Sequence, residues 1–220
     1  MTARVGPRSD DGFTLVELLV AMAVLSVVLV IVANLFVAVS NTTRSATASR
    51  NAVGQASNAM DELARVVRLG TPLPVAGSSA PAAAVVSGSA TALTVLSYVD
   101  TSATAPMPTQ VAFELVSGAL RETRTATTAS GSYAVVNGPV TTRTVASGLA
   151  SVAFAYSDSD GQPIVIAPGA SGLSDDQRTA VATITITITA ANTTAGTSDP
   201  IVLTSSVLLI NAALSNGSGS

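Results

Sequence analysis

From Leu18 to Val39 only Ser26 and Asn34 are polar, and no charge follows Glu17 until Arg44. An apolar run longer than about 18 residues can cross a bilayer. Wound as a helix at about 1.5 Å per residue, this one covers roughly 33 Å, one hydrocarbon core. The stretch is therefore long enough to span a bilayer as one helix. Glu17 stands at its start. A charge at the edge of a span is costly unless paired, and such residues are functional by default. A local reading is also open. Thr14-Leu15-Val16-Glu17 has the form of a capping box, and a carboxylate there meets the positive end of the helix dipole.

No Pro or Gly interrupts residues 13–53. Beyond the span, Val53, Ala56, Met60, Leu63 and Val67 recur at steps of three and four, one face of a helix. Asp61, Glu62, Arg65 and Arg68 fall on the other faces, with Asp61 and Arg65 at the favourable i,i+4 spacing. Gly70 followed by Thr71-Pro72 is a stop signal, so the helix is expected from about Thr14 to Leu69. Gly54 weakens it, by about 1 kcal/mol against Ala. Close packing against the rest of the chain is the expected reason for that glycine, ahead of a hinge.

Composition removes most catalytic options. The 220 residues contain no Cys and no His, and all ten basic residues are Arg. A disulfide framework, a thiolate nucleophile and the commonest general base and zinc ligand are thereby excluded. No G-x-S-x-G or paired-carboxylate motif stands out. The net charge of −3 makes the chain a poor candidate for nucleic-acid binding.

The first twelve residues, MTARVGPRSDDG, are a short polar leader with Arg4 and Arg8. An ordinary secretory signal is the alternative, and Ala46-Thr47-Ala48 even supplies a small-residue cleavage pattern. The apolar region, however, exceeds the roughly 7–15 residues of a signal core, and Ala48 lies well past its end.

The wider string Gly12-Phe13-Thr14-Leu15-Val16-Glu17, followed by the apolar run, resembles the processing site of type IV pilins and of the pseudopilins of type II secretion. The resemblance implies cleavage by a prepilin peptidase between Gly12 and Phe13. It implies N-methylation of Phe13, and a place for Glu17 at the amino terminus of a neighbouring subunit during assembly. It also implies an inner-membrane protein with the leader inside, later an extracytoplasmic filament. The implied partners are the peptidase, other pilin or pseudopilin subunits, the inner-membrane assembly platform and, before assembly, membrane lipid. No cofactor and no nucleic acid are implied.

Residues 71–92 read as a Pro, Ala, Gly and Ser-rich connector. Strand patterns follow at Leu93–Val99, at Gln110–Val116 and Ala119–Thr125 as a hairpin across Ser117-Gly118, and at Tyr133–Val136 and Thr141–Val145 around Asn137-Gly138-Pro139. Ser151–Ser157, Val181–Ala190 and Pro200–Ala212 complete the set. In Val181–Ala190 the residues Ile184, Ile186 and Ile188 share one face, and from Thr183 to Thr189 the other face is all Thr and is expected to be solvated. Val111–Leu115 with Leu120-Arg121, Leu149–Gly161, and the long alternating strand followed by Val207–Asn211 look like J-type minor pseudopilins and related minor pilins. Ile210 stands where such proteins often carry Arg. Asp158-Ser159-Asp160-Gly161 holds part of a calcium-loop pattern, but Gly169 occupies the position of its closing glutamate. A hairpin turn explains the same residues.

The expected fold is α+β: a long N-terminal α-helix, half membrane-spanning and half amphipathic, packed on a C-terminal antiparallel β-sheet domain, pilin-like. The expected divisions are a leader at 1–12, an assembly helix at 13–40, an amphipathic helix at 41–70, the connector at 71–92, a β-rich domain at 93–214 and a flexible tail at 215–220. The expected function is that of a structural subunit, a minor pilin or pseudopilin, and not an enzyme. The alternatives are a DNA-uptake pilin and an anchored or secreted β-rich domain with an ordinary signal.

Overall fold

The computed structural model describes residues 14–74, 81–99, 107–130, 133–190 and 200–209. The leader, Gly12, Phe13, residues 210–212 of the last expected strand and the 215–220 tail lie outside them. The chain divides into two compact units, residues 1–47 and 48–220.

One helix, α1, runs from Leu15 to Arg68, within a residue of its expected bounds at each end. In the first unit its apolar residues are exposed all round, from Leu15 through Val39. Four of its hydroxyls bond to their own backbone. Ser26 Oγ donates to the Ala23 carbonyl (2.7 Å), and Thr42, Thr43 and Thr47 each donate to the carbonyl four residues back (3.0 Å). Back-bonding of this kind gives each hydroxyl an acceptor within the helix, at a slight cost to helix stability.

In the second unit, α1 buries Ala56, Ala59, Met60, Leu63, Val66 and Val67. The face differs from the expected one at its start, because Val53 is 41% exposed. Gly54 is not a site of close packing either: a Cβ added there meets nothing within 4 Å. At the other end Gly70 is needed, but for room and not for a left-handed φ. A Cβ there would lie 2.8 Å from the Val67 carbonyl oxygen and 3.0 Å from Leu209 Cδ2. The buried Ser97 hydroxyl donates to the Val66 carbonyl (2.8 Å), satisfying one acceptor of the last turn.

Two antiparallel sheets make up the rest. The first has the order β1 (Val85–Gly88), β2 (Ala92–Ser97), β3 (Thr109–Val116), β4 (Ala119–Ser130) and β5 (Tyr133–Ala146). The second joins β6 (Leu149–Ser157), β7 (Pro163–Ile164), β8 (Thr183–Ala190) and β9 (Ile201–Leu208) in the order β7-β6-β8-β9. The expected α+β class is therefore observed. Ser117 and Gly118 carry φ of 51° and 75°, as a two-residue hairpin turn between β3 and β4 requires. Strand β1 lies in the expected connector, and its four residues gain their structure by pairing with β2.

Strand β5 was expected as two short pieces. It is one strand, because the register shifts between Thr125 and Thr127 and the extra residues Asn137, Gly138 and Pro139 are absorbed as a bulge. Proline is tolerated there because β5 is an edge strand. Gly138 passes so close to β4 that a Cβ would lie 2.8 Å from the Ala126 carbonyl oxygen.

The helix and both sheets share one apolar cluster. Leu63, Val66 and Val67 of α1 join Val95, Phe113, Leu120, Phe154, Ile184, Ile186 and Ile188, all 5% exposed or less. The threonines of β8 alternate with those isoleucines on the half-exposed face. There Thr185 bonds Ser206 (2.9 Å) and Thr187 bonds Thr204 (3.3 Å) across to β9. A short helix, α2 (Asp175–Ala180), begins with a capping box between Ser174 and Gln177, so Asp175-Asp176 form its first turn.

Candidate functional site

The site expected from sequence lies at the start of α1. Glu17 sits in the first turn and is exposed. Its amide donates to Thr14 Oγ1 (3.3 Å), and its carboxylate Oε2 accepts from the Thr14 amide and hydroxyl, both at 3.4 Å. The capping box therefore forms, but at the long end of hydrogen-bond distances. Among the described residues that carboxylate has no other partner. Gly12 and Phe13, the expected cleavage and methylation residues, lie outside the described residues. α1 is the one helix among the described residues that is long and apolar enough to cross a membrane.

The Asp158–Gly161 segment is a hairpin turn between β6 and β7. Asp158 Oδ1 accepts from the amides of Asp160 (3.0 Å) and Gln162 (2.8 Å), and Gly161 takes a φ of 78°. Its first carboxylate is thus engaged by backbone. Among the described residues, no group of three or more His, Cys, Asp or Glu could hold a metal ion.

A cluster that was not expected lies in the second unit, where α1 passes β4 and β5. Spacing alone puts Glu62 on a polar helix face and pairs Arg65 with Asp61. Arg65 instead holds Glu62, through Nε to Oε2 (2.9 Å) and Nη2 to Oε1 (2.6 Å). The turn of the helix explains the change: at i,i+3 Glu62 shares the inward-leaning flank with Arg65, while Asp61 stays exposed. Glu122 on β4 is fully buried. It accepts from Arg124 Nε on one oxygen and from Arg143 Nε (2.8 Å) on the other. Glu62 Oε1 also accepts from Arg124 Nη2 (3.0 Å) and Arg143 Nη2 (2.5 Å).

The register explains the assembly. Val111, Phe113 and Leu115 stand opposite Arg124, Glu122 and Leu120. Arg143 and Thr141 of β5 stand opposite Glu122 and Arg124. The apolar members of this face lie under α1, and polarity takes over toward the edge. Hydrogen bonding from Arg65, reinforced by the charges of Arg65, Arg143 and Arg124, outweighs burial and holds the Glu62 carboxyl below its usual range. The same hydrogen bond raises Arg65. An open cleft of about 390 Å³ adjoins the cluster, rimmed by Thr141 and Thr142. Elsewhere Tyr156 is buried, which pushes its phenol well above the usual range, and its hydroxyl donates to the Ser89 carbonyl (2.8 Å).

Comparison with known proteins bears on the first of these sites. Residues 7–33 match the family model described as the prokaryotic N-terminal methylation motif. The motif spans Gly12, Phe13 and Glu17 and the first part of α1, the residues on which the resemblance to type IV pilins and pseudopilins rests. The N-terminus of this chain carries that methylation motif. Among solved structures, the chain is similar to a chain in the crystal structure of the GspK-GspI-GspJ complex from the enterotoxigenic Escherichia coli type 2 secretion system. The identity is 13% and the TM-score 0.45, over 72% of this chain and 97% of that one. No curated protein matches the sequence.

Proposed function

We propose that this chain is a non-enzymatic structural subunit, a minor pilin or pseudopilin, of a type IV pilus or type II secretion-type filament. The observation that carries the reading is the methylation motif at residues 7–33, which runs into a helical segment whose apolar residues are exposed all round from Leu15 through Val39. A helix apolar all round belongs in lipid or against other helices. In this reading residues 1–12 are a leader, and residues 13–40 are the segment that spans the membrane and later packs in the filament. Prepilin peptidase cuts between Gly12 and Phe13 and methylates Phe13. The β-rich unit lies outside the inner membrane, and the assembly platform moves the subunit from lipid into a filament of other pilins or pseudopilins.

Glu17 supplies register. Its carboxylate has only long contacts to Thr14 and stays exposed, so it is open to a stronger partner. Away from water, a carboxylate and an ammonium are tolerable as a pair and costly apart. One stagger between neighbouring helices places the Phe13 amine of one subunit at Glu17 of the next.

Intact-mass measurement of the membrane-extracted protein tests the proposal. The expected chain begins at Phe13 and carries one added methyl group at its amine. A mature chain beginning at Ser49 would establish an ordinary secretory signal instead.

A further inference from the structure

The cleft beside α1 holds more positive than negative charge. Three guanidiniums, Arg65, Arg124 and Arg143, face two carboxylates, Glu62 and Glu122. The acceptors are committed. Both oxygens of Glu122 are taken, and Glu62 Oε1 receives the Nη2 groups of all three arginines. The donors are not: the Nη1 group of each arginine makes no hydrogen bond among the described residues. A guanidinium fork matches a planar carboxylate, which it binds through two parallel hydrogen bonds.

The cleft also opens at a particular place. Thr141, Thr142 and Arg143 belong to β5, the edge of its sheet, which pairs with β4 on one side only among the described residues. Arg143 is 52% exposed there and Arg65 41%. A chain approaching that edge brings its side chains to the guanidiniums. We propose that this cleft receives an Asp or Glu side chain from a neighbouring protein subunit, which balances the excess charge of the cluster. This interaction surface is independent of the N-terminal processing site.

The test uses the full chain in detergent micelles with ¹⁵N-labelled arginine, following the side-chain Nε–H resonances. N-acetylglutamate α-amide serves as the probe, with N-acetylglutamine amide and inorganic phosphate as parallel arms at constant ionic strength. The expected result is a saturable shift of the Arg65, Arg124 and Arg143 signals with the glutamate probe and none with its neutral analogue. Arg143→Gln removes the excess charge and is expected to abolish the shift. Thr141→Asp supplies a carboxylate from the exposed rim and is expected to do the same, so it carries the test if Arg143→Gln disturbs the fold. Three results would overturn the proposal: shifts no larger than those of the exposed Arg44 and Arg50, equal shifts with the neutral analogue, or saturation by phosphate at lower concentration than by the glutamate probe.

Discussion

Glu122 and Arg143 face each other across β4 and β5, and the Arg143 Nε donates to a carboxylate oxygen that is wholly out of water (2.8 Å). A buried charge of this kind is tolerated only while its partners remain. Changing Arg124 and Arg143 together to Met leaves Glu122 uncompensated, and unfolding of the β-rich unit should become easier by roughly 3–5 kcal/mol. Adding Glu122→Leu should recover most of that loss, because an apolar replacement of a buried ion pair is often neutral. Urea unfolding of the three proteins checks both steps. A double Arg variant as stable as the parent would mean that Glu122 is hydrated.

The same cluster sets an acid limit. Glu62 has an ordinary value of 4.5 and is lowered in the folded chain, chiefly by its hydrogen bond from Arg65. Above 4.5 the carboxylate is charged in both states and its stabilisation is complete. As pH falls below that value the unfolded chain takes up the proton first, so stability drops, and the loss is finished once the folded value is passed. Melting temperature should therefore decline on acidification below pH 4.5, and the decline should be shallower in Glu62→Gln. Equal slopes in the two proteins would remove Glu62 as its source.

Gly54 lies inside α1 with open space around it. Replacing it with Ala should stabilise the helix by about 0.5–1 kcal/mol, because Ala loses less backbone entropy and meets no obstacle. A rise in the melting temperature of the β-rich unit is the expected reading. A fall would show that the glycine serves a bend or a contact made only in assembly.

The spacing of Leu63 and Val53 predicts one shared apolar face, and the structure separates them. Leu63 is fully buried and Val53 is 41% exposed. Leu63→Ala should cost about 2–5 kcal/mol, whereas Val53→Ala should stay within about 0.5 kcal/mol. Similar costs for the two would mean that the helix is rotated from the position described.

Features set by neighbouring residues could be read before the fold was known. The limits of α1 follow from its uninterrupted spacing and from Gly70 and Pro72. The Ser117-Gly118 hairpin and the inward row Ile184, Ile186 and Ile188 follow from turn chemistry and a period of two. Features set by register could not. Glu62, Glu122 and Arg143 lie on three elements far apart in sequence, and nothing local distinguishes them from solvated charges. The Ser97 hydroxyl that satisfies the Val66 carbonyl is of the same kind. Strand β1 is hidden in the sequence because Ala, Pro and Gly around it favour loop, and pairing with β2 overrides that preference. At the N-terminal site the order of residues carries the signal. The partner proposed for Glu17 belongs to another subunit.

Glu17 can act as a helix cap, as a pairing group, or as both, and Glu17→Gln separates these roles. Gln also completes a capping box, so a residue that only caps Thr14 should be replaced almost silently. A residue that pairs with the Phe13 amine of a neighbour loses its charge and leaves that ammonium unmatched. The penalty is on the order of 3–5 kcal/mol for a fully buried pair, and less near the membrane edge. Removal of the leader should continue, because the bond between Gly12 and Phe13 lies more than a helical turn from Glu17. Processed protein that stays in the membrane is the expected outcome. Shearing filaments from cells and blotting the sheared and membrane fractions reads it directly. Normal recovery of the Gln variant in filaments would leave Glu17 a cap and nothing more.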